Sequence, residues 1–215
     1  MKTRFWELTK PNTSRYRAEW AHDEMRLGEG GGKRLTDLSI VLPGDSIQDF
    51  VWTWYSECCV QQHVLEMFRN EGFTGFEIKP VRARYEKSSS PPPPLWELVI
   101  TGWGGMAAEE SGIKLNEEES CLARHYYRYT GTDHPERIID VSRWDGSDFF
   151  MVWPLPRFVF ITDRVAHLIK EKKLIGARIV TPADLKKSDG FTPGRLSYYM
   201  PDMRAKELGE PLGIY

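Results

Sequence analysis

Apolar and polar positions alternate most legibly between residues 144 and 182. Phe158, Val159, Phe160 and Ile161 form a continuous apolar run, the pattern of a strand buried on both faces. Thr162 stands where an N-cap hydroxyl belongs, and Asp163 brings negative charge to the first helical turn. Val165, Leu168 and Ile169 then fall at i, i+3 and i+4, one apolar helix stripe. Lys170, Lys172 and Lys173 suit the negative end of the helix dipole, and Gly176 is placed to stop it. Residues 177–181 read as a second strand, closed by Pro182. The pattern predicts a strand–helix–strand unit over about residues 147–182.

The same pattern recurs earlier, over about residues 46–84, displaced by 101 positions. Residues 50–80 align with 151–181 without a gap, and Val51, Trp52, Val64, Gly75 and Ile78 recur as Val152, Trp153, Val165, Gly176 and Ile179. Both helices carry the apolar stripe in one register, and both end before a glycine that leads into a strand. Agreement of pattern, cap and stop predicts an internal duplication. The fold class expected is α+β: two related units around a mixed β-sheet, followed by short C-terminal helices over 181–185 and 201–209.

Outside the two units, residues 4–8, 35–42 and 96–101 read as strands. Residues 132–137 read as a helix start with a first-turn proline. Residues 88–94, three serines and four prolines, read as a polyproline linker between an N-terminal half (1–87) and a C-terminal half (95–215), which together could still make one compact domain. Glycines around Trp103 mean either a tight turn or a close approach of something to the backbone.

A net charge of −2 gives no global sign of a nucleic-acid or membrane surface. The N-terminus has no apolar signal segment, no stretch approaches transmembrane length, and three cysteines make no disulfide framework. A cytoplasmic protein is expected. Eight tryptophans are expected either in a Trp-rich core or, in part, at an interaction surface.

Candidate chemistry is sparse. The glycine-rich stretch 28–34 lacks phosphate-loop spacing: Leu27 stands in place of the first glycine and Arg34 in place of the magnesium-binding hydroxyl. Cys121, His125 and His134 are the only neighbouring soft ligands, but Arg124 replaces the second cysteine of a Cys-x-x-Cys pair, so no zinc or other cofactor is expected. Cys58 and Cys59 have no basic neighbour to activate a thiol. Asp145 and Asp148, with His134, are the one set suited to acid–base or metal-assisted chemistry, although Asp-Gly-Ser-Asp is also ordinary turn chemistry. What remains is a contact surface: Trp103 as an aromatic anchor, with Glu109, Glu110, Glu117, Glu118 and Glu119 as acidic groups that would steer a basic partner.

The run from Trp144 through Phe150, then Trp153-Pro154, then residues 160–165 and a helix ending at Gly176, resembles the C-terminal module of bacterial toxin-immunity proteins. These are the double-CXXCG motif proteins of swarming-inhibition systems and their immunity-protein-11-type relatives. Phe5, Trp6, Glu7 and Leu8 are similar to that family's first strand. Both CXXCG pairs are lost here, so the family's zinc does not carry over. The resemblance implies a non-catalytic cytoplasmic protein that protects its producer by stoichiometric binding of a cognate protein toxin. The competing expectations are a small enzyme using Asp145, Asp148 and His134, and an adaptor recruited through the prolines at 91–94.

Overall fold

A computed structural model describes residues 4–12, 17–20, 26–27, 33–121, 126–185 and 190–215. Thirteen strands lie among them: β1 (Phe5–Thr9), β2 (Arg17–Trp20), β3 (Arg26–Leu27), β4 (Lys33–Arg34), β5 (Ser39–Leu42), β6 (Phe50–Thr53), β7 (Cys58–Gln61), β8 (Phe76–Tyr85), β9 (Leu95–Ile100), β10 (Gly102–Met106), β11 (Phe149–Trp153), β12 (Val159–Thr162) and β13 (Arg178–Val180). The helices are α1 (Gln62–Asn70), α2 (Asp163–Glu171) and α3 (Asp202–Gly209). The fold is α+β, as the sequence pattern predicts.

The strands form a closed six-stranded barrel, β2-β5-β8-β9-β7-β6, a five-stranded sheet, β10-β11-β12-β1-β13, and a small β3-β4 hairpin. Ala18, Leu38, Ile40, Leu42, Val51, Cys59, Tyr85 and Leu95 fill the barrel. A larger core runs without interruption from α1 and β6 to α2, β11 and β12. At its centre Phe149 is fully buried, with ring centroids 5.2 Å from both Phe68 and Phe76. One core across both halves makes the two units a single packed body rather than two tethered ones.

The duplication holds in the backbone. The 101-residue displacement superposes β7 on β12, α1 on α2 and Gly75 on Gly176. Gly72, with φ of +66°, corresponds to Lys173, with φ of +53°. The apolar faces correspond as well: Val64, Leu65 and Phe68 are buried in α1, as Val165, Ala166, Leu168 and Ile169 are in α2. The structure extends the repeat to a part that the linear alignment does not reach. Trp96 pairs with Val60 in β9–β7, and Trp6 pairs with Ile161, the equivalent of Val60, in β1–β12. Trp6-Glu7-Leu8 is therefore the second copy of Trp96-Glu97-Leu98, delivered from the N-terminus instead of following β13. Both indoles donate to the first residue of their helix, Trp6 Nε1 to Asp163 and Trp96 Nε1 to Gln62. The repeated unit is a four-stranded sheet with one helix, and its second copy is circularly permuted.

Where the two copies meet, the hydrogen bonds are reciprocal. Phe50 N donates to Ile175 O and Phe149 N donates to Thr74 O, each at 3.0 Å. Ile175 N donates to the Asp49 carboxylate at 2.7 Å, and Thr74 N to the Asp148 carboxylate at 3.2 Å. Asp49-Phe50 thus corresponds to Asp148-Phe149. This corrects the gapless alignment: Phe50 faces Val60 as Phe149 faces Ile161, so Trp52 corresponds to Met151 rather than to Trp153. Two extra residues lie in the second hairpin connection.

Four further expectations change. Residues 88–94 do not link halves; they belong to the connection between β8 and β9, which are paired antiparallel neighbours in the barrel. Such a loop spans a hairpin, and the extended prolines stiffen it. The strand expected over 35–42 is confined to Ser39–Leu42. The helix start expected near 132–137 is only a 3₁₀ turn, Pro135–Arg137. Thr162 does precede α2, but its hydroxyl donates to the Asp148 carboxylate at 2.9 Å instead of capping the helix. The short C-terminal helices form as α3 and a 3₁₀ turn at Pro182–Asp184, where Thr181 and Asp184 make a capping box. The glycines at 30–32 and the residues Arg124 and His125 lie outside the described residues.

Candidate functional site

A cavity of about 250 Å³ opens at one mouth of the barrel. Its deepest polar group follows from strand alternation. Leu95 points into the barrel, and Glu97, two residues on, shares that face and sits opposite Cys59. The carboxylate reaches the mouth rather than the apolar interior, where Arg34 from β4 forms an ion pair with it. Both side chains are largely shielded, at 11% and 8% exposure. Arg34 is fixed in turn by a hydrogen bond to Thr36 O at 3.0 Å. Burial raises the Glu97 carboxyl above its ordinary pKa, and the Arg34 guanidinium pulls it part of the way back. Lys79, Glu97's cross-strand partner on β8, lines the same mouth.

The rim is built by the two equivalent hairpin connections. Tyr55 comes from the β6–β7 turn and Arg157 from the β11–β12 connection, and Arg157 Nη1 donates to Tyr55 O at 3.3 Å. The Arg157 guanidinium also lies 5.8 Å from the Tyr55 ring centroid and 6.0 Å from that of Tyr199. The chain leading into α3 closes the remaining side, with Asp202 ion-paired to Lys33. Tyr55 is a large, half-exposed side chain in the lining itself, and Leu35, Trp54 and the 87% exposed Met203 follow or precede the lining residues Arg34, Tyr55 and Asp202 in the chain. Among the described residues, Tyr55 is the exposed large apolar side chain that lines this cavity, and three more stand next in sequence to residues that line it.

The contact surface expected from the sequence is dispersed. Trp103 is 8% exposed and belongs to the main core, so it is no anchor for a partner. The glycines around it admit β11, not a ligand: a Cβ at Gly102 would lie 2.0 Å from Phe149 O, and one at Gly104 2.8 Å from Phe150 and Val152. Glu109 and Glu110 are exposed in a 3₁₀ turn, and Glu117, Glu118 and Glu119 are exposed on the following loop, where Glu119 lies 3.6 Å from Arg128. None of the five lines the cavity.

The acid–base set is taken up by the fold. Asp145 accepts from Trp103 N at 3.0 Å, Ser147 N at 3.1 Å and Arg204 at 2.9 Å. Asp148 is 5% exposed and binds Thr162 and the Thr74 backbone at the seam between the copies. His134 is exposed and faces Glu136 at 3.5 Å, with no contact to either aspartate. Asp148→Asn is therefore expected to lower folding stability by about 1–3 kcal/mol, the cost of an imperfectly satisfied buried group, which urea unfolding reads directly. A catalytic Asp148 would instead give loss of turnover at unchanged stability. Cys121 bridges to Tyr126, and among the described residues no three His, Cys, Asp or Glu side chains converge as a metal site requires. Burial pushes the Cys58 and Cys59 thiols up, holding both protonated and inert.

A comparison with protein-family models finds no match, and a comparison with curated proteins finds none either. Among the described residues no helix is long and apolar enough to cross a membrane. The cavity and its rim are therefore read on their own chemistry. Reasoning from sequence missed Arg34, Tyr55, Glu97 and Arg157. One signal was present: a glutamate inside the apolar run of β9, repeated as Glu7 in β1, whose carboxyl burial also raises.

Proposed function

We propose that this protein is an immunity-type inhibitor: a cytoplasmic protein that neutralises a cognate protein toxin by stoichiometric binding. The observation that carries the reading is a concave mouth lined by the half-exposed Tyr55 and by an Arg157 held against its ring, with exposed Trp54 and Met203 at the positions next to Tyr55 and Asp202. Trp, Tyr and Arg dominate the energetics of protein–protein interfaces, above all where they flank a pocket that a partner side chain can fill. The resemblance to immunity proteins over Trp144–Gly176 supports the same reading, and so does the structural employment of Asp145 and Asp148. The exposed glutamates at 109, 110 and 117–119 fit as steering charges outside the contact itself.

The test is capture of the partner by tagged wild-type protein from the producing cells, set beside capture by Trp54→Ala/Tyr55→Ala. Support requires a single polypeptide retained near one to one, toxic when released. The double variant is expected to weaken its binding by about 2 kcal/mol or more, roughly 30-fold, while remaining folded by circular dichroism, both side chains being half exposed. Equal retention by both proteins would move the interface elsewhere.

A further inference from the structure

We propose that the barrel-mouth cavity is a binding site for an organic anion, a carboxylate carried on an apolar body. The inference stands on the cavity and not on the toxin reading. Among the described residues, four cations, Lys33, Arg34, Lys79 and Arg157, line it against three carboxylates, Glu57, Glu97 and Asp202. The carboxylates are committed. Glu97 is paired with Arg34 and Asp202 with Lys33. Glu57 accepts from the Thr53 hydroxyl and, at 3.3 Å, from Trp20 Nε1. A cationic ligand would have to break one of these arrangements.

An anion meets the opposite situation. Lys79 lines the cavity but makes no hydrogen bond or ion pair with any described residue, and its cross-strand neighbour is the carboxylate that Arg34 already holds. Arg157 is positioned by the Tyr55 carbonyl and two tyrosine rings, so little side-chain freedom remains to be lost on binding. The described lining is net positive, pre-organised and partly screened from water, the conditions under which a charge-assisted hydrogen bond is strong. Leu98, Ile100, Met151, Val159 and Met200 supply an apolar wall beside those cations. At about 250 Å³ the space is below the range of drug-sized pockets, and it suits one side chain, a chain terminus or a small acid.

The experiment titrates the full chain with 3-phenylpropionate and with its uncharged amide, 3-phenylpropanamide, by calorimetry. Saturable binding of the acid is expected, with the amide at least about 10-fold weaker and the acid weakened by added salt. Lys79→Gln, at an exposed position, is expected to cut acid binding about 10-fold while leaving the urea midpoint unchanged. Equal binding of acid and amide, wild-type binding by Lys79→Gln, or no saturable binding would overturn the proposal. A second arm separates the two sources of such a group. N-acetyl-Ala-Phe with a free C-terminus binding more tightly than 3-phenylpropionate assigns the site to a peptide end, and the reverse order assigns it to a free small acid.

Discussion

Arg34→Ala is expected to remove about 3–5 kcal/mol of folding stability, the loss typical when one member of a shielded ion pair is deleted and the other stays behind. The Glu97 carboxylate would then sit at the barrel mouth without its guanidinium, above a plug of Leu95, Cys59 and Val51. The pH dependence identifies the cause. Burial raises the Glu97 carboxyl, so the folded chain holds that proton more tightly than the unfolded chain does. Stability therefore falls as pH rises from the ordinary glutamate range through the raised folded value, and is recovered below it. Arg34 works against this rise, so its removal deepens the fall. The variant should lose most at about pH 8 and much less near about pH 5, measured by urea unfolding at both. Arg34→Met with Glu97→Leu should recover most of the loss, since an apolar pair of similar volume strands no charge. A single variant within about 1 kcal/mol of wild type at both pH values would show that the pair is solvated after all.

Gly75→Ala and Gly176→Ala are expected to be damaging to a similar extent, each by about 3 kcal/mol or more. Two terms add. Both glycines have positive φ, +88° and +94°, which costs an alanine about 1–2 kcal/mol. The added Cβ would also meet backbone from the other copy, 1.9 Å from Phe149 O at Gly75 and 2.2 Å from Phe50 O at Gly176. Backbone pinned by reciprocal hydrogen bonds has no flexible end to move aside, so overpacking adds about 1–3 kcal/mol. Gly72→Ala is the internal control. Its φ is positive as well, but nothing lies within 4 Å of the added Cβ, and its equivalent is Lys173. It should cost only about 1 kcal/mol. Thermal unfolding of the three variants distinguishes close approach at the seam from simple backbone strain. A loss at Gly72 equal to that at Gly75 would contradict the close-approach account.

Those glycines also show what the sequence discloses and what it withholds. Their stop-and-turn signal, together with the helix stripes Val64/Phe68 and Val165/Ile169, made β7–α1–β8 and β12–α2–β13 legible, because each is one unbroken stretch of chain, residues 58–85 and 159–180. The repeat of Trp96-Glu97-Leu98 as Trp6-Glu7-Leu8 was hidden, since permutation places it outside any collinear alignment. The two extra residues in the second hairpin connection made Val51-Trp52 match Val152-Trp153 in letters, while the ladders pair Phe50 with Val60 and Phe149 with Ile161. Barrel closure depends on β2 and β5, four residues each, too short to carry a period. Trp103 among glycines looked like a surface feature, yet the glycines serve the packing of β10 against β11. The cavity was least legible. Arg34, Tyr55, Glu97, Arg157 and Tyr199 come from five separate segments, and only tertiary contacts bring them to one mouth.

Stoichiometric neutralisation rather than turnover is the central functional claim, and one titration bears on it most directly. The captured partner's toxic activity would be assayed at fixed concentration against rising amounts of this protein. The account predicts a linear fall that reaches zero at one equivalent, with Trp54→Ala/Tyr55→Ala shifting the curve to higher concentration. Complete inactivation by a small fraction of an equivalent, progressing with time, would contradict it and establish catalysis instead.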